Sequence, residues 1–123
     1  MAQPVDIDTM CGIVGFLRSE MVARDGDGAL LRRMADSVRH RGPDDDGVWV
    51  GQGVGLGHRR LAVIDISAAG HQPMTRGRWT IVLNGEVYNY LELRKELEGR
   101  GEIFVSHSDT EVLLALLARD GVA

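Results

Sequence analysis

Glycine interrupts the apolar runs of this chain more often than any other residue. The 123-residue sequence contains 16 glycines, and many of them stand beside runs that predict strands. These are Gly12, Gly15, Gly47, Gly51, Gly53, Gly55, Gly57 and Gly85. Glycine beside a strand usually marks a turn, a bulge or a backbone that a ligand approaches closely. The distribution therefore favours a β-rich site over a helical bundle.

The bulk composition predicts one ordinary globular domain and excludes several kinds of protein. Apolar residues make up 44% of the chain and charged residues 26%, with a formal net charge of −4. Basic residues are scattered rather than gathered into a broad patch, so we do not expect nucleic-acid binding. No apolar run approaches the roughly 20 residues of a membrane span, and the first ten residues lack the pattern of a signal peptide. We expect a cytoplasmic protein without a membrane partner.

Three apolar stripes at helical spacing predict three helices. The stripes are Leu30, Leu31, Met34, Ala35 and Val38; Tyr90, Leu93 and Leu97; and Val112, Leu113, Leu116 and Leu117. A basic last turn followed by Gly42-Pro43 ends the first helix. Asn89 with Glu92, and Ser108 with Glu111, have the spacing of capping boxes, which predicts where the second and third helices begin.

Short apolar runs bounded by turn residues predict the strands. They cover residues 12–17, 48–50, 53–58, 61–65, 79–83 and 102–106. Asn84-Gly85, directly after the fifth run, is the strongest short turn signal in the chain. The order of elements excludes a regular βαβ alternation, and it predicts an α+β fold in which helices pack outside sheet layers.

Cys11 is the only cysteine, so it cannot form an internal disulfide. Taken alone, it is either a small buried hydrophobe or a reactive thiol. The polar residues before it contain Pro4 and show no period, and we interpret residues 1–10 as a leader or a misassigned start.

Five sequence blocks resemble, in their order along the chain, the class II glutamine amidotransferases, whose nucleophile is the N-terminal residue. The blocks are MCGIVGF at 10–16, RHRGPD at 39–44 followed by Gly47, HRRLAVID at 58–65, NGEVYN at 84–89 and SDTE at 108–111. The set resembles the asparagine-synthetase branch. Pro43 distinguishes it from the glucosamine-phosphate synthases and the phosphoribosyl amidotransferases, which remain the alternatives within class II.

The resemblance implies that Cys11 is the nucleophile and that its own α-amine is the base. A free α-amine has an unperturbed pKa of roughly 7.7 to 8.0, close to working pH, so it can take the thiol proton and later return one to departing ammonia. The resemblance further implies an oxyanion hole made by the side-chain amide of Asn84 and the backbone N–H of Gly85.

The resemblance also implies a pocket for free L-glutamine. Arg60 would hold the α-carboxylate, because a guanidinium offers a planar pair of donors. Glu86 and Asp109 would hold the α-ammonium. Backbone groups of Leu61, Ala62, Val63 and Ile64 would line the pocket.

If Met10 stays attached to Cys11, the nitrogen of Cys11 is part of a peptide bond and cannot act as a base. The implied mechanism therefore requires Cys11 to be the N-terminal residue, with a free α-amine. Either translation starts at Met10 or the leader is a propeptide, and the position of Met10 directly before Cys11 favours the first. The family fold is an αββα four-layer sandwich of the N-terminal-nucleophile hydrolases, of which residues 11–123 would be an incomplete N-terminal part.

The family carries a second, synthetase domain, so ATP and Mg are expected there and no cofactor or metal is expected in this domain. We expect the ammonia to be transferred to an activated carboxylate, with aspartate as the first candidate. A homodimer is a possible assembly. A non-catalytic glutamine-binding or interaction fragment is the competing hypothesis.

Rival interpretations of the polar residues are weaker. The four histidines with Cys11 lack the close ligand spacing of zinc sites. A papain-like pair of Cys11 with His71 or His107 lacks the local signature of that family. Asp44-Asp45-Asp46 is more typical of a solvated turn than of a calcium site.

Overall fold

The computed structural model describes residues 11–61 and 68–122. The predicted leader at 1–10, most of the predicted strand at 61–65, and Ala62, Val63 and Ile64 lie outside these residues. Among the helices described, none has the length and apolar character to cross a lipid bilayer. The mixture of helices and antiparallel strands confirms the predicted α+β class.

A three-stranded antiparallel sheet begins directly after Cys11. It consists of β1 (Gly12–Leu17), β2 (Asp45–Val50) and β3 (Val54–Arg60) in the order β1-β3-β2. In its register Gly12 lies opposite Arg59, and His58 lies between Ile13 and Gly47. The central position of β3 brings its last residues next to the beginning of β1, where the cysteine stands.

Helix α1 (Asp27–Ser37) covers one face of this sheet, as its apolar stripe predicted. Leu31 and Ala35 are fully buried. A Cβ on Gly55 would lie 2.5 Å from Cε1 of Phe16 and 2.8 Å from Cδ1 of Leu31, so this helix packs closely only because β3 carries glycine there. The basic residues expected in the last turn form a separate 3-10 turn, Arg39–Arg41.

The remaining elements form a second unit of packing. The strands β4 (Met74–Arg76) and β5 (Trp79–Ile81) make a two-stranded antiparallel sheet, which contacts α3 (Asp109–Asp120). Helix α2 (Tyr90–Gly99) packs on α3 through Leu97, Val112 and Ala115. The strand predicted at 79–83 is shorter than expected, and β4 was not predicted.

The predicted face of α3 is only partly right. Val112 is fully buried, and Leu113, Leu116 and Leu117 are half-buried. The structure adds Leu114 and Ala115, both 1% exposed, to the buried face. Neighbours on more than one side of α3 explain this wider face, since both α2 and the β4-β5 sheet contact it.

The strand predicted at 102–106 is wrong. The carboxylate of Glu111 accepts hydrogen bonds from the backbone N–H groups of Val105 (3.0 Å) and Ser106 (2.8 Å) and from the Ser106 hydroxyl (2.7 Å). Arg76 donates to the carbonyl of Ile103. Side chains thus satisfy backbone groups that would otherwise pair with a neighbouring strand.

The two predicted capping boxes fix helix starts, but their hydrogen bonds differ from expectation. Ser108 caps α3, and its hydroxyl accepts from the backbone N–H of Thr110 at 3.1 Å. Glu111 reaches past Ser108 to the preceding loop. Asn89 occupies the N-cap position of α2 without a side-chain capping bond.

Candidate active site

The thiol of Cys11 is hydrogen-bonded to both backbone polar groups of Leu61. Sγ accepts a hydrogen bond from the backbone N–H of Leu61 at 3.2 Å and donates to the Leu61 carbonyl at 3.6 Å. Cys11 is half-buried, so the sulfur lies at the edge of the fold rather than within its core. Because Leu61 directly follows β3, the end of that strand determines where the thiol lies.

Arg60 lies at the same strand end. Its side chain is buried, with 8% of its surface exposed. Gly70 lies against the guanidinium, since a Cβ at that position would be 2.4 Å from Nη2 of Arg60. The structure therefore brings Cys11 to Leu61, the residue that follows Arg60 in the chain.

The neighbouring Arg59 has a different environment, in keeping with the alternation of side chains along a strand. Its Nε donates to the carbonyl of Gly42 at 3.0 Å, and its guanidinium lies 3.7 Å from the Asp46 carboxylate. Arg59 thus fastens the Gly42-Pro43 turn to β3.

The predicted oxyanion residues lie in a short exposed loop of three residues, Asn84, Gly85 and Glu86. The loop is held at both ends. On one side Val87 donates its backbone N–H to Oδ2 of the buried Asp109 at 2.8 Å. On the other side the peptide N–H of Leu83 donates to Oε1 of Gln72 at 2.7 Å.

His58 connects this loop to the strand that carries Arg60. Its Nε2 lies 3.2 Å from the carbonyl oxygen of Leu83, and its side chain is 1% exposed. Because Nε2 must carry the proton to donate to a carbonyl, the neutral ring leaves Nδ1 unprotonated. This Nδ1 is buried and has no hydrogen-bond partner among the residues described.

Burial lowers the pKa of His58 below its ordinary value of 6.5. The charge of Arg60 and that of His71 when protonated lower the pKa as well, whereas the Leu83 carbonyl and the Asp45 carboxylate raise it. A neutral His58 is consistent with its role as a donor to Leu83.

The predicted site residues thus fall into two groups, Cys11 with Arg60 and Leu61, and Asn84 to Glu86 with Asp109. Within the described ranges, the hydrogen bond from His58 to Leu83 joins the strand of the first group to the loop of the second. Ala62, Val63 and Ile64 lie outside those ranges.

Sequence reasoning missed Gln72 and the part played by His58. Gln72 falls in none of the predicted helices or strands, and His58 is considered there only as part of a motif and as one of the histidines of a rejected zinc site. The glutamine bonds with residues 11 and 38 positions away in sequence, so no local pattern could have indicated them.

The rival sites have no support in the described part of the chain. The hydrogen bonds of the Cys11 thiol are to Leu61, and Nδ1 of His71 lies 2.6 Å from the Asp45 carboxylate. In residues 11–61 and 68–122 no three side chains of histidine, cysteine, aspartate or glutamate lie together as metal ligands would.

A sequence model of the family described as glutamine amidotransferase domain matches residues 10–123. The chain belongs to this family. It is 47% identical over 109 residues to asparagine synthetase [glutamine-hydrolyzing] 1 of Bacillus subtilis, a match that covers 86% of this chain and 17% of that protein.

Two further relatives carry similar names. Asparagine synthetase [glutamine-hydrolyzing] 3 of Bacillus subtilis is 47% identical over 111 residues, covering 85% of this chain and 17% of the relative. A putative asparagine synthetase [glutamine-hydrolyzing] 2 of Methanocaldococcus jannaschii is 37% identical over 134 residues, covering 91% of this chain and 24% of the relative. The chain therefore spans between 17% and 24% of the length of these relatives.

Proposed function

We propose that this chain is the glutamine-hydrolysing part of an asparagine-synthetase-type amidotransferase, with Cys11 as the nucleophile. The observation that carries the proposal is the position of the Cys11 thiol, which is hydrogen-bonded to Leu61 at the end of β3, the residue that follows the buried Arg60. A nucleophile and a cation held at the same strand end suit a substrate that carries both an amide and a carboxylate. The names of the relatives favour the asparagine-synthetase branch over the other two class II branches.

The reaction proceeds in two steps with the α-amine of Cys11 as the proton shuttle. The amine takes the Sγ proton, and the thiolate attacks the carbonyl carbon of the glutamine side-chain amide. The tetrahedral intermediate collapses, the C–N bond breaks, and the nitrogen leaves as ammonia with the shuttled proton. Water then attacks the Cys11 thioester, which releases glutamate and returns the proton to the thiol.

The predicted site residues would bind the three charged or polar parts of the substrate. Arg60 would bind the α-carboxylate, and Glu86 with Asp109 the α-ammonium. The Asn84 amide and the Gly85 N–H would stabilise the oxyanion. The location of Asn84 to Glu86 in an exposed loop fixed at both ends supports these roles, and Leu61 to Ile64 would complete the pocket.

The mechanism requires that Cys11 be the first residue of the working enzyme. A start at Met10 followed by its removal, or cleavage of residues 1–10, would provide this. Residues 11–123 would then be part of a glutamine amidotransferase domain in a cytoplasmic protein. We propose the αββα sandwich as the complete fold. Two features support it. Helix α1 covers one face of the sheet, and on the other face, where a second sheet would pack, the apolar side chains of Ile13, Leu17 and Trp49 are exposed.

The ammonia would be used by a synthetase domain of the same protein. That domain would bind ATP and Mg and amidate aspartate or a related carboxylate, and a homodimer is a possible assembly. The length of the relatives supports a further domain. No cofactor is required for the hydrolysis itself, because the thiol, the amine and the backbone donors supply each step.

The test combines mass spectrometry with covalent labelling of the full-length protein. The native N-terminus is determined first, and the protein is then treated with a diazoketone analogue of glutamine. We expect Cys11 at the N-terminus, labelling of its sulfur, and release of glutamate and ammonia in equal amounts. Cys11→Ala should abolish labelling and reduce hydrolysis by about 10⁴-fold or more, as loss of a nucleophile does in other hydrolases.

Two results would reject the proposal. One is label that persists after Cys11→Ala, which would identify another nucleophile. The other is a native protein that retains residues 1–10 and does not hydrolyse glutamine, which would favour a glutamine-binding or interaction module.

A further inference from the structure

The backbone of Leu83 is held on both sides of its Cα immediately before the proposed oxyanion residues. Its N–H donates to Oε1 of Gln72 at 2.7 Å, and its carbonyl oxygen lies 3.2 Å from Nε2 of His58. Both polar groups of Leu83 are therefore bound to side chains. The backbone enters Asn84 with its position and direction fixed.

Gln72 is anchored at its other end to the first turn of α3. Its Nε2 donates to the hydroxyl of Thr110 at 3.1 Å, and the side chain is 7% exposed. The next residue back, Asp109, holds the N–H of Val87. The start of α3 thus fixes both ends of the loop, one end directly and the other through Gln72.

His58 relates the loop to the nucleophile. It stands in β3 two residues before Arg60 and three before Leu61, whose peptide group binds the Cys11 thiol. The same strand end therefore determines the location of the thiol and of the Leu83 carbonyl. Gln72 completes the arrangement, because a contact at the Leu83 carbonyl fixes only the peptide group after Leu83, and the bond from the Leu83 N–H to Gln72 fixes the peptide group before it.

We propose that Gln72 is a positioning residue for glutamine hydrolysis, which orients the backbone at Leu83 so that Asn84 and Gly85 present their donors to the oxyanion. This inference rests on the proposed function. Gln72 does not touch the substrate and acts through the backbone of Leu83.

A positioning role predicts a particular kinetic effect. Oxyanion donors must lie about 2.7–3.1 Å from the oxygen, and loss of one donor costs about 10²–10³-fold in kcat. A displacement near 1 Å can cost about 10²-fold. Arg60 binds glutamine from another element, so removal of the Gln72 amide should lower kcat about 10- to 100-fold and change KM less than about threefold.

The decisive variant is Gln72→Met, which keeps a long unbranched side chain but removes both hydrogen bonds. Gln72→Glu retains an acceptor for the Leu83 N–H, and its carboxylate can accept from the Thr110 hydroxyl, so it should recover part of the lost kcat. Thr75→Val is the matched control. It removes the exposed hydrogen bond between the hydroxyls of Thr75 and Thr80 (2.9 Å), only three residues from Gln72. This variant should keep wild-type kinetics.

The assay uses the full-length protein and expresses kcat per active site. Active sites are counted by labelling Cys11 to completion with the diazoketone analogue, so misfolded molecules do not contribute. A purely structural role for Gln72 would lower the number of labelled sites but leave kcat per site unchanged. If Gln72→Met cannot be purified, Thr110→Val removes only the anchor of Gln72, and it should lower kcat per site in the same direction.

The outcomes separate the two proposals. Wild-type protein that hydrolyses glutamine through Cys11, with wild-type kcat per labelled site in Gln72→Met or Thr110→Val, would overturn the role of Gln72 alone. A rise in KM without a fall in kcat would overturn it as well. Wild-type protein that is neither labelled at Cys11 nor active would overturn the proposed function, and the role of Gln72 with it.

Discussion

The Cys11 thiol makes two hydrogen bonds with the backbone of Leu61, at 3.2 Å between the sulfur and the nitrogen and 3.6 Å between the sulfur and the carbonyl oxygen. Fifty residues separate the two in sequence. The contact arises because β3 is the central strand and runs antiparallel to β1, so its end returns to the start of β1. The proposed nucleophile and the proposed carboxylate-binding arginine are therefore both placed by the same antiparallel pairing.

Gly70 should control how Arg60 binds substrate. A Cβ at this position would lie 2.4 Å from Nη2 and 2.9 Å from Cζ of Arg60, so in Gly70→Ala the guanidinium must move. Misalignment of a bidentate contact costs about 1–2 kcal/mol, and we expect KM for glutamine to rise about tenfold with kcat changed less than threefold. Steady-state kinetics of glutamate release measures both.

Gly28→Ala is the matched control for this change. Gly28 lies in α1, and no atom beyond its chain neighbours and the adjoining helix backbone lies within 4 Å of the position that its Cβ would occupy. We expect wild-type kinetics from this variant. Wild-type KM in Gly70→Ala would show that the guanidinium does not bind the substrate from its present position.

His58 should make the folded chain less stable in mild acid. Its pKa is lowered in the folded state, chiefly by burial, so below about pH 6.5 the unfolded chain binds more protons than the folded chain. The free energy of unfolding therefore decreases as pH falls from 7 to 5, by at most about 1.4 kcal/mol per pH unit for this one group.

Urea titrations at several pH values measure this slope. His58→Gln should have a smaller slope between pH 7 and 5, whatever its absolute stability, because the titrating group is gone. His40→Gln removes an exposed histidine of the turn after α1 and should keep the wild-type slope. Equal slopes in wild type and His58→Gln would contradict the prediction.

Glu111 should contribute strongly to the stability of the fold, although it is not one of the proposed site residues. Its buried carboxylate accepts from two backbone N–H groups and from the hydroxyl of Ser106. A hydrogen bond to a charged group contributes about 1.5–3 kcal/mol to stability. A glutamine amide keeps one acceptor oxygen, so Glu111→Gln should lower the free energy of unfolding by about 1–3 kcal/mol.

Glu98→Gln provides the comparison in the same urea experiment. Glu98 is an exposed partner of Arg94 one helical turn away, and pairs of this kind contribute less than about 0.5 kcal/mol. A similar decrease in the free energy of unfolding in both variants would mean that the loop at 102–106 does not depend on the buried carboxylate.

The sequence by itself determined the α+β class, the helix starts at Asn89 and Ser108, and the apolar stripe of α1. It also supplied the motifs that carry the family assignment. These features depend on side-chain periodicity, turn residues and residue types within a few positions of one another. Their signals are local and do not depend on which distant residues pack against them. For this reason a single sequence was enough to predict them.

Tertiary structure decided the features that depend on distant partners. The segment 102–106 has the composition of a strand, yet Glu111 and Arg76 take its backbone groups, so it does not pair with another strand. Gln72 lies 38 positions before Thr110 and acquires its role only when β4 and α3 pack together. Hydrogen bonds between residues far apart in sequence form only after the chain has folded, and local patterns carry no information about them.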